Sequence, residues 1–385
     1  MKKILFFLFV LLPMMASAYS GDVNIDGITY YVITESNWAS VKGLEDKTLK
    51  TVTIPATITV GTEVCKVREI GEHAFYSTDI ECVNIGSNVT TIGAEAFRNS
   101  QLTSITLSDQ HQKIGDYAFA NTKLTTITLP ANIRELGKAI CMDCKNLQSV
   151  TLYCAVGSEH FVGCSCLKSV TFHIYSVTFT DNNTVEEVIL GSEVNSINFM
   201  NLTNLKGIRI PDNVTTIQSC CFSGTAVRSV YIPKTVKKIN AGAFWHCPLL
   251  QELYLPSNKV LYTITKFTGE WAVIKDCPNL TDVYMYLDEW EGDDRDGRKI
   301  IDLPDRKAYL RVHPNQLNNY MWSTVWNKHF KKVISMTEDE LATDITPATY
   351  SESIQSSDYY TLSGQRITNP KRGIYIQGGR KVVIK

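Results

Sequence analysis

Eleven cysteines are the residues of this 385-residue chain that most invite chemistry. Cys141-x-x-Cys144, with Cys154, Cys164 and Cys166 close behind, places thiols at a spacing zinc accepts. In an oxidising compartment the same set could pair as disulfides, the odd count leaving at least one thiol over. Seven histidines (His73, His111, His160, His173, His246, His313, His329) share no spacing and form no H-x-x-x-H pair. No nucleophile elbow, phosphate-binding loop or dinucleotide fingerprint occurs. Catalysis needs converging groups, and nothing implies convergence, so the chain reads as a non-enzyme with no cofactor. The acidic run Asp288 to Gly297 has the outline of a calcium loop. Counting back from Gly297, however, puts Gly292 in the first ligand position and Leu303 in the twelfth, so both end carboxylates are missing. It reads as a solvated surface loop. A formal net charge of −1 excludes the basic face that nucleic acid requires.

The elements that must hold these residues repeat. Phe75, Phe97 and Phe119 fall about 22 residues apart, and Phe161, Phe179, Phe199, Phe222 and Phe244 continue the series with slips. Each stands five residues after a branched apolar residue, as in Ile92…Phe97 and Ile239…Phe244. A second ladder, L-x-x-V-x-I, runs in phase from Leu49-Val52-Ile54 through Leu124-Ile127-Leu129 to Leu280-Val283-Met285. Its alternation predicts a strand with one buried face, and the Pro or Gly that often follows (Pro55, Gly86, Pro130, Pro211, Pro233, Pro256) ends it. A period of about 20–29 residues marks a leucine-rich solenoid. One rung cannot bury its own apolar face, so the rungs stack and the phenylalanines form an interior column.

This frame absorbs most of the cysteines. Cys144, Cys164, Cys247 and Cys277 stand three residues after the Phe position, where other rungs carry Thr78, Ser100, Thr122 and Thr225. Cys141 takes the Phe position itself and Cys221 the small-residue position beside Phe222. These six are expected as buried structural thiols. No metal site is expected, and a disulfide among Cys154, Cys164 and Cys166 is the remaining alternative.

The pattern L-x-x-V-x-I-P followed by I-x-x-x-A-F-x-x-C resembles the BspA-like leucine-rich repeats of secreted bacterial proteins, over roughly residues 24 to 335. The resemblance implies a mainly β solenoid of the α/β type. It would be a right-handed array of about 11 short parallel strands over residues 49–285, with a cap at each end. Val23-Asn24-Ile25-Asp26-Gly27-Ile28-Thr29-Tyr30-Tyr31 looks like the family's opening hairpin, within a cap at 19–48. Ala308-Tyr309-Leu310-Arg311-Val312 and the aromatic-rich stretch to Phe330 look like its closing strand and helix, within a cap at 286–336.

The two ends have other characters. Lys2 and Lys3, the apolar run Ile4 to Met15, and Ala16-Ser17-Ala18 form the three parts of a secretory signal over residues 1–18. The apolar run is too short to span a bilayer, so no membrane insertion is expected after cleavage. Residues 337–357 read as a polar linker. Residues 358–385 carry three short strand-like runs and look like the C-terminal tails of Bacteroidetes exported proteins, related to type IX sorting domains. The expected location is therefore extracellular or on the outer cell surface.

The outward positions of the strand ladder change character along the chain. Between the second and third apolar rungs the residue runs Thr53, Asn84, Thr106, Thr128, Thr151, Thr171, Ile189, Arg209, Tyr231, Tyr254, Tyr284. The first part is a carpet that satisfies strand propensity. The second is a tyrosine row beside Glu252 and Asp282. Arg209, Tyr231, Glu252, Tyr254, Asp282 and Tyr284 are thus the candidate ligand-binding residues. The bland alternative is cross-strand tyrosine pairing, or cover from the loop 256–274 that carries Trp271. Adhesion to host matrix proteins or other cells is what the resemblance implies. The alternatives are a glycan-binding accessory of nutrient capture and a surface protein with no dedicated ligand.

Overall fold

The computed structural model describes residues 18–256, 261–262, 272–286, 301–303, 305–323 and 326–341, together with the backbone of four tail strands between 359 and 384. The apolar run of the signal, the acidic stretch 288–297, Trp271 and the linker from 342 lie outside the described residues. The chain divides into two compact units, residues 1–124 with 132–144, and residues 125–131 with 145–385.

The first unit opens on three antiparallel strands, Ser20–Ile25, Ile28–Ile33 and Trp38–Leu44. The first turn is Asp26-Gly27, both at positive φ (51° and 78°), which is the type I′ geometry that suits the twist of a hairpin. The third strand pairs in parallel with Glu63–Ile70, which converts a hairpin cap into the first solenoid rung. From there two parallel ladders run side by side. Thr51–Ile54, Cys82–Ile85 and Ser104–Ile105 form the face that alternates buried and outward residues. Glu63–Ile70, Thr91–Ile92, Lys113–Ile114 and Glu135–Leu136 form the opposite wall.

Between the two ladders lies the phenylalanine turn, whose backbone follows an unusual rule. Residues two before and two after each Phe have positive φ: His73 and Ser77, Glu95 and Asn99, Tyr117 and Asn121. This alternation of hand points the amides of His73, Phe75 and Ser77 the same way, and they donate to Ala94, Ala96 and Arg98 carbonyls at 2.7–3.0 Å. Glu95, Phe97 and Asn99 repeat the pattern toward Asp116, Ala118 and Ala120. A turn that would leave buried amides orphaned thus becomes a ladder of its own. Adjacent rungs approach so closely here that a Cβ on Gly115 would lie 2.4 Å from the Ala94 nitrogen, which explains the Gly after the branched residue.

Phe75, Phe97 and Phe119 are fully buried and stack with ring centroids 5.2 and 5.7 Å apart. Cys141 continues the series at the same position, also fully buried. In the second unit Phe161, Phe179, Phe199, Phe222 and Phe244 occupy the interior in the same way, with Phe222 and Phe244 stacked at 5.3 Å. Burying each ring stabilises the fold by about 1.5–3 kcal/mol.

The second unit has the same parts. Its strand face comprises Thr126–Leu129, Ser149–Leu152, Ser169–Phe172, Glu187–Leu190 and Gly207–Ile208. Ser229–Tyr231, Glu252–Leu255 and Asp282–Met285 follow. Residues of the expected cap add two more strands to this face, Tyr309–Val312 and Lys332–Ser335, in parallel register. The parallel array therefore extends past residue 285, with the helix Leu317–Trp322 inserted between its last two strands. The opposite wall is Ser176–Thr178, Ser196–Asn198, Thr216–Ile217, Lys238–Ile239 and Leu261–Tyr262. The tail backbone forms a four-stranded antiparallel sheet, since the run 359–367 folds into two strands, Tyr359–Tyr360 and Arg366–Ile367. Among the described residues no helix is long and apolar enough to cross a membrane.

Candidate recognition surface

The cysteine candidates resolve into packing. Cys141, Cys144, Cys164, Cys221, Cys247 and Cys277 are all buried, and none of the eleven cysteines is in a disulfide. Their position has a further use. The Cys144 thiol donates to the Phe119 carbonyl at 3.1 Å, where Thr122 from the preceding rung also donates at 2.9 Å. Cys247 and Thr225 share the Phe222 carbonyl in the same manner. Thr and Cys both serve there as small donors to a Phe carbonyl, Thr to that of its own rung and Cys to that of the rung before. Cys154, Cys164 and Cys166 form no disulfide. Burial pushes the Cys154 thiol up to about 11, which makes it a poor nucleophile. Among the described residues no three His, Cys, Asp or Glu side chains are grouped to hold a metal ion.

The outward strand positions change character within the second unit, which carries Thr128, Thr151 and Thr171 before Ile189, Arg209 and the tyrosines. In the first, Thr53, Asn84 and Thr106 are exposed, joined only by a 3.3 Å bond from Asn84 Nδ2 to Thr53 Oγ1. In the second, the parallel register sets Tyr231 beside Tyr254 and Tyr254 beside Tyr284. Tyr231 and Tyr254 lie 6.4 Å apart with a 42° tilt, whereas Tyr254 and Tyr284 stack at 4.4 Å and 8°. All three are half-buried. The acids lie where the register puts them. Tyr254 donates its hydroxyl to Glu252 Oε2 at 2.9 Å, and burial, reinforced by Glu252, holds that hydroxyl far above its ordinary pKa. Burial does the same to Tyr284. Both stay neutral donors at any physiological pH.

The strand Tyr309–Val312 contributes what the sequence-based frame did not include. Its register sets Arg311 next to Tyr284. The guanidinium covers the Tyr284 ring at 5.5 Å and pairs with Asp282 (Nε to Oδ1, 2.5 Å) and Glu340 (Nη1 to Oε1, 3.0 Å). Glu340 belongs to the short helix Glu338–Leu341. It also accepts from the Thr337 amide at 2.8 Å while Thr337 Oγ1 accepts from the Glu340 amide at 3.2 Å, a reciprocal capping box. Tyr286 donates its hydroxyl to the Glu340 carbonyl at 3.3 Å. Arg311, Asp282 and Glu340 are thereby fixed, their side chains 25%, 16% and 17% exposed.

Five of the six candidates, Tyr231, Glu252, Tyr254, Asp282 and Tyr284, are thus brought into one cluster. Arg209 stands one rung earlier, where the strand Gly207–Ile208 lies beside Ser229–Tyr231, and its side chain is exposed. Among the described residues it makes no hydrogen bond, ion pair or ring contact. Stacking spends the faces of Tyr254 and Tyr284 on each other, and Arg311 takes the far face of Tyr284. A sugar ring stacks on an open aromatic face, so these two rings offer a ligand their edges and hydroxyls instead.

Parallel strands of two to four residues, a Phe-centred turn and an outward face that varies from rung to rung define a leucine-rich repeat protein. The chain belongs to the BspA-type leucine-rich repeat family, whose repeat region matches in six copies over residues 68–184 and 173–286, more than half of the chain. The family is one of repeat proteins suited to protein interaction. No curated protein matches significantly. Among solved structures the chain is similar to a leucine-rich repeat protein from Bacteroides ovatus, at 19% identity over 83% of this chain and 77% of that one, with a TM-score of 0.42. The pneumococcal vaccine antigen PcpA is 15% identical over 83% of this chain and 100% of that one, with a TM-score of 0.35. A leucine-rich cell surface protein from Faecalibacterium prausnitzii is 19% identical over 83% and 96%, also with a TM-score of 0.35.

Proposed function

We propose that this chain is a non-enzymatic exported protein whose outward strand face binds other proteins at a surface. Adhesion to host matrix proteins or to other cells is the activity it serves. One observation carries the reading. Tyr231, Tyr254 and Tyr284 form a half-buried row, the last two stacked, on a face whose earlier rungs carry mostly small polar side chains. Rigid tyrosines give a partner contact area at low entropic cost, and interface anchors are rich in Tyr and Arg. The basic, apolar and small-residue parts of residues 1–18 support export.

The test is binding of the mature chain to immobilised fibronectin and fibrinogen. Replacing Tyr231, Tyr254 and Tyr284 together by Ala is expected to abolish retention while the far-ultraviolet spectrum stays β-rich. Unchanged binding by a folded triple variant sinks the reading. Retention on a glycan matrix that the triple variant loses would transfer the same face to sugar recognition.

A further inference from the structure

We infer that the ligand of this face is an acidic protein segment, received at Arg209, and that Glu340 is the chain's own copy of the ligand's carboxylate at the other end of the row. This rests on the reading of the tyrosine face as a recognition surface. The count of acids beside the tyrosines first suggests a basic partner. The hydrogen bonds reverse that expectation. Asp282 and Glu340 are both engaged by Arg311, and Glu252 is engaged by the Tyr254 hydroxyl. At the neighbouring bend, Glu186 is held between Lys168 and Lys206. The described acids nearest the tyrosines are therefore already matched within the chain, and Glu187, in register beside Gly207, accepts from Ser169 Oγ at 3.3 Å.

The cations are not. Tyr231, Tyr254, Tyr284 and Arg311 follow one another in register, and the repeat frame continues the column back to Arg209 and Ile189 on strands that lie beside one another, so the tyrosines have an arginine at each end. The two arginines share a position but not a fate. Arg311 has Asp282 two residues along the preceding strand, and it has Glu340. Arg209 has Gly207 on its own strand and Ser229 on the next, where the tyrosine rungs carry Glu252 and Asp282. Among the described residues no carboxylate reaches Arg209, which stays exposed beside Ile189, itself 37% exposed. Arg228, at the adjoining bend, is a second exposed cation without a described side-chain partner.

Arg311 shows what an arginine in this column accepts. Its partner Glu340 comes from a short capped turn that approaches the face from outside the ladder. An extended partner with a carboxylate and an adjacent apolar side chain would find the same recognition at Arg209 and Ile189. A fork-shaped guanidinium takes a carboxylate through two parallel bonds, and an uncompensated cation steers an acidic partner toward the face. A partner long enough to reach Arg311 must displace Glu340, so the turn 337–341 limits the length of ligand the face accepts.

The experiment measures fluorescence anisotropy of two short labelled peptides, one alternating Glu with Val and one alternating Lys with Val, against the mature chain at low and physiological salt. The Glu peptide is expected to bind and to weaken as salt rises, and the Lys peptide to fail. Arg209→Glu should weaken the Glu peptide about tenfold or more, the loss typical of an arginine anchor, while Arg209→Lys retains part of the binding. Glu340→Ala, which frees Arg311, should strengthen it. Equal binding of the two peptides, or indifference to Arg209→Glu in a folded variant, overturns the inference. If the tyrosine triple variant loses fibronectin or fibrinogen while Arg209→Glu does not, the recognition face stands and the acidic ligand is wrong. If neither changes any binding, both fail.

Discussion

The strand face of the first unit and the later strands of the second follow the same alternation, and they differ in what stands outward, the threonines running on through Thr128, Thr151 and Thr171 of the second unit. Thr53, Asn84 and Thr106 ride on the same alternation as Tyr231, Tyr254 and Tyr284. The inward residues Val52, Val83, Val230, Leu253 and Val283 are all buried, and Ile105 at the Thr106 rung is half-buried. The interior is therefore indifferent to which outward side chains a rung carries. The core is built from the inward residues, so the outward column can vary without disturbing it.

The strongest attack on that comparison is to the shared interior. Phe97→Ala in the first unit and Phe222→Ala in the second should each lower unfolding free energy by about 3–5 kcal/mol in urea titration. A loss in one unit and none in the other would show that the column is not a common design. Outward substitutions should separate the units. Tyr254→Ala removes two ring contacts and a hydroxyl bonded to Glu252, for about 1–3 kcal/mol by the same titration. Thr106→Ala should stay within about 0.5 kcal/mol. If the two cost the same, the tyrosine row is no more organised than the threonine carpet.

The mildest probe is pH, with one buried histidine in each unit. Burial pulls both His111 and His160 below the ordinary imidazole value. A depressed histidine leaves stability intact above its unfolded pKa, about 6.5. Below that value the unfolded chain takes up the proton first, so stability falls as pH drops toward the folded pKa. His111→Gln and His160→Gln should each flatten the fall in melting temperature between neutral pH and about pH 5. An unchanged acid slope in both variants would show that these rings protonate freely in the folded chain.

The rungs up to Met285 were legible because V-x-I alternation and the Phe spacing are local and repeat. The cysteines became legible once in frame, since a position that takes Thr78, Ser100 and Thr122 is a position for a small donor. Arg311 was not legible as a member of the outward column. The residues between Met285 and Tyr309 break the period, and Leu310-x-Val312 alone is too short to restore it. Glu340 shows a different limit. Thr337-x-x-Glu340 can be read locally as a helix start, but its second contact, to Arg311, joins rungs that sequence spacing does not relate. The left-handed residues of the turn were hidden too, because Ser77, Glu95 and Tyr117 are not types that advertise positive φ. Tertiary hydrogen bonds impose that conformation.

That alternating turn has an evolutionary consequence. Because alternate amides at the Phe turn point toward the following rung and the carbonyls they meet belong to that rung, each repeat has a donor side and a matching acceptor side, like a brick with stud and socket. A gene duplication that inserts one complete rung meets the same contacts above and below, and so does a deletion. The identical pentapeptides Asn88–Ile92 and Asn213–Ile217, which both end in two-residue strands of the wall opposite the recognition face, are what such copying leaves behind. A lineage could therefore lengthen or trim this chain by whole rungs and move a binding row along it, with selection acting on outward residues alone.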